Sequence, residues 1–189
     1  YAWSTAIGLQ AVDGLKPSKY LIDTAIQNIE GNITIKEAQN LIDNYYEKRP
    51  AHLSDEKRTE EADKVSSRIA EILSETAFSF SPNEYISIHR RLFQGIYNYA
   101  GKIRDYNITK KEWVLDGATV LYGSASELKA TLEYDFSQEK AFSYKGLSMD
   151  EIMRALGFSA TNDIFAENAW YFRNALVRAN YTNLHNISH

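Results

Sequence analysis

Cysteine is absent from this 189-residue chain. That absence excludes disulfide staples, thiolate-bound zinc, iron–sulfur clusters and thiol nucleophiles, and it removes any need for an oxidising compartment. Nowhere does an apolar run approach the roughly 18–20 residues of a membrane-crossing helix. The opening YAWSTAIGLQAVDG has no basic stretch followed by an apolar one, so no secretion signal is read there and a soluble, cytoplasmic protein is expected. Tyr1 stands where a start methionine would, so an upstream start is expected. An excess of positive charge is missing too: the formal net charge is −4, which disfavours DNA or RNA as a partner. Proline occurs at three places, Pro17, Pro50 and Pro82, each beside an expected helix end.

What remains is aromatic and helical. Thirteen tyrosines and three tryptophans imply an aromatic-rich core or an exposed binding face. The length suffices for a real core, and one domain with a small appendage is expected rather than two equal domains. The stretch 81–111 is the strongest pattern and is expected to be the element around which the chain is organised. Ser81, Pro82 and Glu84 spell a capping box with proline at the first helical position. Tyr85, Ile88, Leu92, Phe93, Ile96 and Tyr97 recur at helical spacing and are expected to be buried, with Arg90, Arg91 and Gln94 opposite. Gly101 ends the pattern.

The spacing predicts a short helix over 3–13 stopped by Gly14, a second over 18–29 stopped by Gly31, and a third opened by the Thr34/Glu37 box and closed near Lys48. Three such helices bury little surface, so this piece should be stable only when packed on the rest of the chain. A charged helix is expected over 54–74, with Ala62, Val65, Ile69, Ile72 and Leu73 inward and the acidic run at its start exposed. His52 has no histidine nearby, and no metal role is expected for it. Asp116-Gly117 lies between β-prone runs in 106–122 and predicts a hairpin turn. Ser124/Glu127 predicts the cap of a helix carrying Leu128, Leu132 and Phe136, and Ser148/Glu151 predicts a further start. Phe165, Ala169, Phe172, Leu176 and Ala179 mark one side of a last amphipathic helix.

Ile88, His89, Leu92, Phe93, Ile96, Tyr97, Ala100, Gly101 and Arg104, followed by Ile108 and Lys110, reproduce I-H-x-x-L-F-x-x-I-Y-x-x-A-G-x-x-R with an I-x-K hairpin. This resembles the second conserved block of the Fic (filamentation induced by cAMP) family. The resemblance implies a mainly α fold, a Fic-type helical bundle with one β-hairpin flap. The flap, Lys110, Lys111, Glu112, Trp113, Val114 and Leu115, would hold an extended segment of a target protein by strand addition. Tyr171 and Asn174 would line an adenine pocket.

The stretch AIGLQAVDGLKPSKYLIDTAIQNIEGNITIKEAQNLI in turn resembles a VbhA-type antitoxin, the small helical inhibitor of Fic proteins. It implies an inhibitory module over 1–49 and a Fic domain over 50–189. The antitoxin pattern S/T-x-x-x-E-G/N aligns with Leu9, Asp13 and Gly14, which would make Asp13 and Gly14 the inhibitory pair. The hydroxyl has become leucine, and the carboxylate is one methylene shorter.

Together the resemblances imply transfer of AMP from ATP, with Mg²⁺, to a Ser, Thr or Tyr hydroxyl of a target protein. Self-association is left open, and related proteins transfer phosphate or phosphocholine instead. The family's H-P-F-x-x-G-N-G-R motif supplies the base, the metal-holding acid and the phosphate cradle, and no such string follows Arg154. No residue can be assigned those catalytic roles, and the metal ligands are unknown. Removing core helices would cost more than a domain's margin of about 5–15 kcal/mol. A segment missing between Arg154 and Ala155 is therefore expected, the alternative being a catalytically inactive remnant that only binds.

Overall fold

In the computed structural model, residues 1–49, 53–149, 151, 174 and 178 are described. The elements are α1 (Ala2–Val12), α2 (Lys19–Ile29), α3 (Ile35–Glu47), α4 (Ser54–Ser74), α5 (Pro82–Phe93), β1 (Thr109–Lys111), a 3-10 turn (Trp113–Leu115), β2 (Thr119–Leu121) and α6 (Leu128–Ala141). The chain is mainly helical and divides into two units, Tyr1–Lys102 and Ile103–His189.

Local chemistry sets the first helix boundaries. Ser18 Oγ accepts from the Leu21 amide at 3.0 Å and starts α2. At α3 the box closes both ways: the Glu37 amide donates to Thr34 Oγ1 at 3.2 Å, and the Thr34 amide donates to the Glu37 carboxylate at 2.7 Å. Those bonds from Thr34 hold the Glu37 carboxyl below its ordinary range. Helix α1 ends in a Schellman arrangement, with Leu15 N–H bonded to Gln10 O and Gly14 N–H to Ala11 O, both at 3.0 Å. Gly14 takes φ +68° there, a left-handed conformation that glycine adopts without a Cβ penalty.

The first unit's core is Trp3 and Ala6 of α1, Leu21 and Ala25 of α2, Ala38, Ile42 and Tyr46 of α3, and Ala70 of α4. Helix α4 is its spine, packed on α1, α3 and α5. Ala62, Ser66 and Ala70 repeat every four residues along α4, are buried, and are all small, which lets a neighbouring helix approach closely. The helices of 1–49 do pack on a later part of the chain, α4. The expected organising role of 81–111 is not met: no residue of α5 is fully buried, and Tyr85 is 60% exposed.

Helix α5 also stops earlier than its pattern predicts. Arg68 of α4 donates through Nη1 to Leu92 O at 2.8 Å and Gln94 O at 2.9 Å, capturing the helix's last carbonyls. Gly95 follows at φ +75°. At the start, Ser81 Oγ accepts from the Glu84 amide at 3.2 Å, only one half of the expected box. On the side expected to face solvent, Arg91 reaches back to Glu71 of α4 and to Glu75 just beyond its end. The bond to Glu75 raises Arg91 and, reciprocally, lowers Glu75.

The segment after α5 folds back on it. Gly101 N–H donates to His89 Nδ1 at 2.8 Å, so that ring nitrogen carries a lone pair and His89 acts as a structural acceptor. Gly101 has φ +70°, and a Cβ there would lie 2.6 Å from Arg90 Cβ. Gly101→Ala is expected to lower stability by about 1–3 kcal/mol through left-handed strain and overlap with Arg90. An unchanged denaturation midpoint would contradict that account.

In the second unit, Thr109, Lys110 and Lys111 pair antiparallel with Leu121, Val120 and Thr119. Asp116 and Gly117 do adopt positive φ, 53° and 83°, as the Asp-Gly signal predicts. They do not form a tight two-residue connection, because Glu112 N–H closes onto Ala118 O at 3.1 Å and the 3-10 turn occupies the space between. The expected Ser124/Glu127 cap is absent: Glu127 is itself the N-cap, and Ser124 Oγ lies 2.9 Å from Ser126 Oγ. The Ser148/Glu151 box does form, at 2.8 Å and 3.3 Å. The expected break at 154/155 lies outside the described residues. So does most of the last amphipathic helix, although Asn174 and Arg178 are both helical. Among the described residues no helix is long and apolar enough to cross a membrane.

Candidate functional site

The expected site residues fall in both units, and each unit is described by itself. In the first, the end of α1 presents Leu9, 48% exposed, and Asp13, also exposed, one helical turn apart on the same face. Arg58 of α4 donates from Nη2 to the Asp13 carbonyl at 3.1 Å. A guanidinium there suits the negative end of the helix dipole and holds the α1 terminus against α4. The Asp13 carboxylate itself remains outside this contact, facing solvent. Gly14 is required by the Schellman cap, a local reason for its identity that is independent of any inhibitory role.

Two features of the first unit are not legible from sequence patterns. The first is a cavity of about 610 Å³ lined by Tyr46, Arg58, Glu61, Lys64, Ile96 and Tyr97 among others. Its charges are largely satisfied internally: Lys64 pairs with Glu60 at 2.6 Å, and Tyr97 OH donates to Glu61 at 2.7 Å. Burial, then the bond to Glu61, raises the Tyr97 hydroxyl well above the usual tyrosine range.

The second is a buried carboxyl. Asp63 has no solvent exposure, and it accepts from Ser18 N–H at 2.8 Å, Ser18 Oγ at 2.5 Å and Tyr46 OH at 2.6 Å. It therefore joins the N-terminus of α2 and the end of α3 to α4. Burial raises the Asp63 carboxyl above its usual range despite these donors, and burial first, then the bond to Asp63, raises Tyr46.

In the second unit, the hairpin is pinned at its base and tip. Arg104 donates to Tyr106 O at 2.6 Å through Nη1 and to Gly123 O through Nη2. Asn107 Oδ1 accepts from the Ala125 amide at 2.8 Å, and Arg178 Nε donates to Val114 O at 3.2 Å. One guanidinium thus bridges the two chain segments leading into the strands, and another holds the 3-10 turn.

The six residues expected to dock a target are not equivalent. Glu112 and Val114 are buried, at 3% and 7% exposure, and Leu115 is half-buried, so these side chains are not turned outward as a docking set would need. Lys110 pairs with Glu112 at 3.1 Å. Lys111 and Trp113 are exposed, Trp113 by 60%.

The main-chain direction follows from two bonds. Tyr122 N–H to Ile108 O and Glu112 N–H to Ala118 O bracket Lys110/Val120 as the inward-bonded pair between them. The N–H and C=O groups of Thr109 and Lys111 therefore point outward along the free side of β1.

Of the expected nucleotide contacts, Asn174 is helical and half-buried, and Tyr171 lies outside the described residues. Among the described residues no three His, Asp or Glu side chains converge in a way that could hold a metal ion. Compared with known proteins, the chain matches no family model, no curated protein and no solved structure.

Proposed function

We propose that this chain is a Fic-type protein whose hairpin holds an extended segment of a target protein beside the place of reaction. In a molecule that also carries the histidine motif, the reaction is transfer of AMP from ATP, with Mg²⁺, to a Ser, Thr or Tyr hydroxyl of that segment, with pyrophosphate released. The observation that carries this reading is a short two-stranded ladder fixed by Arg104 and Arg178, with the main-chain groups of Thr109 and Lys111 turned outward. Such an edge binds by backbone hydrogen bonds, which tolerate varied target sequences. The block of residues around Ile88–Arg104 supplies the family reading. Asp13, exposed at the end of a helix that is itself firmly packed, is the inhibitory residue in this scheme.

Incubation with Mg²⁺ and ATP labelled on the α-phosphate tests the proposal. Label is expected on the protein itself or on lysate proteins, and more of it after Asp13→Gly. The intact mass of the purified protein is expected to exceed the 21.6 kDa of this chain, because the reading requires the missing motif. Absence of label from both proteins at a mass of 21.6 kDa would overturn the transferase.

A second reading then stands, favoured by a property of the sequence: no H-P-F-x-x-G-N-G-R string occurs anywhere in it. In that reading the chain is a catalytically inactive remnant that keeps its docking edge and acts by binding alone.

A further inference from the structure

We infer that the segment added to β1 carries an acidic side chain opposite Lys111. This rests on the docking reading above and specifies what the edge selects. Cross-strand partners share a face, so Thr109 and Lys111 lie on one side of the ladder with Leu121 and Thr119, and Lys110 lies on the other with Val120. The first face is exposed at all four positions, Leu121 by 60%. The second face is only partly covered: Val120 is half-buried, and Lys110, though exposed, is joined to the buried Glu112.

The two lysines therefore differ in what they offer. The charge of Lys110 is already matched by a carboxylate within the hairpin. No ion pair joins Lys111 to another described residue, and it stands on the solvent face at the position whose N–H and C=O point outward. A strand laid along β1 would bond to that residue's main chain and place a side chain directly beside its ammonium. In a chain of net charge −4, this edge presents a cation at the place where register is set.

The edge of β2 offers Thr119 and Leu121 and carries no charge at the corresponding positions. The cation of β1 also argues against a second copy of this chain as the occupant. A symmetric pairing of two β1 edges centred on Lys111 would set that lysine against its own counterpart, and like charges across a ladder oppose pairing.

Fluorescence polarisation with the full chain tests the inference. The probes are a short labelled peptide of alternating valine and threonine with glutamate at its centre, and the same peptide with lysine there. The glutamate peptide is expected to bind about tenfold more tightly, since attraction in one replaces repulsion in the other. The preference is expected to shrink in high salt and to reverse in Lys111→Glu, an exposed substitution that leaves the packing intact. Equal binding of the two peptides, or a preference unchanged by Lys111→Glu, overturns the acidic selection while leaving strand docking standing. Binding of neither peptide removes the docking reading together with it. A dimer in sedimentation that excludes the peptide assigns the edge to a second copy and overturns the inference as well.

Discussion

Asp63→Ala is expected to destabilise the first unit by about 3–5 kcal/mol, because it strands one buried and two half-buried donors at once. Ser18 N–H, Ser18 Oγ and Tyr46 OH all donate to this carboxyl, and its burial leaves no water to replace it. Removing the acceptor abandons donors on two other helices, so the loss exceeds that of a single hydrogen bond. Chemical denaturation monitored by tryptophan fluorescence measures it, and a loss below about 1 kcal/mol would mean that these donors find other partners.

The same residue sets a pH dependence. Its native carboxyl titrates above the ordinary aspartate value of about 3.9, so over this interval the folded state binds the proton more tightly than the unfolded state does. The contribution of Asp63 is thus fully present below the ordinary value and is lost as pH rises through the raised native one. Wild-type stability should carry that downward component with increasing pH. In Asp63→Asn the component should vanish, while carboxylates with lowered values, such as Glu37 and Glu75, keep their opposite slope.

Trp3→Ala is the second large effect, also about 3–5 kcal/mol, by loss of a large side chain from a packed interior. Trp3 is 5% exposed and belongs to the core formed with α2, α3 and α4. Its Nε1 donates to Asn28 Oδ1 at 2.8 Å, and Asn28 in turn donates to Ile33 O at 2.8 Å. The indole therefore ties the start of α1 to the α2–α3 connection as well as filling space. Trp3→Phe keeps most of the packing but leaves Asn28 without that donor, so a smaller loss of about 1–2 kcal/mol is expected. Equilibrium unfolding separates the two variants, and equal losses would show that only the hydrogen bond matters. If α1 is the inhibitory helix, loosening it by Trp3→Ala should also raise labelling in the direction of Asp13→Gly.

Helix starts were legible because their chemistry is local. Thr34 with Glu37, Ser81 with the Glu84 amide, and Ser148 with Glu151 each act across a single turn, and glycine at 14 and 31 ends helices for reasons of its own backbone. Partners distant in the chain were not legible. The end of α5 is decided by Arg68, 24 residues from Leu92, and a hydrophobic period that runs on to Tyr97 gives no hint of it. Asp63 sits in a charged stretch beside Glu60 and Glu61, and only the arrival of Ser18 and Tyr46 distinguishes it from them.

The hairpin was legible as a stretch but not residue by residue. Asp116-Gly117 marks a reversal, yet the 3-10 turn turns Glu112 and Val114 inward and leaves Lys111 and Trp113 outside. Arg104 was visible as a motif residue, whereas its task of bridging Tyr106 and Gly123 emerges only when both segments are brought together.

The position of α4 bears on how portable the N-terminal piece is. A separately supplied fragment ending at residue 49 would retain Ser18 and Tyr46 but lose the carboxyl to which both donate, and with it Ala70 and the Arg58 contact at Asp13. The smallest fragment that carries its own interior runs to Ser74, so the first three helices supplied as a separate piece would have to bring α4 with them.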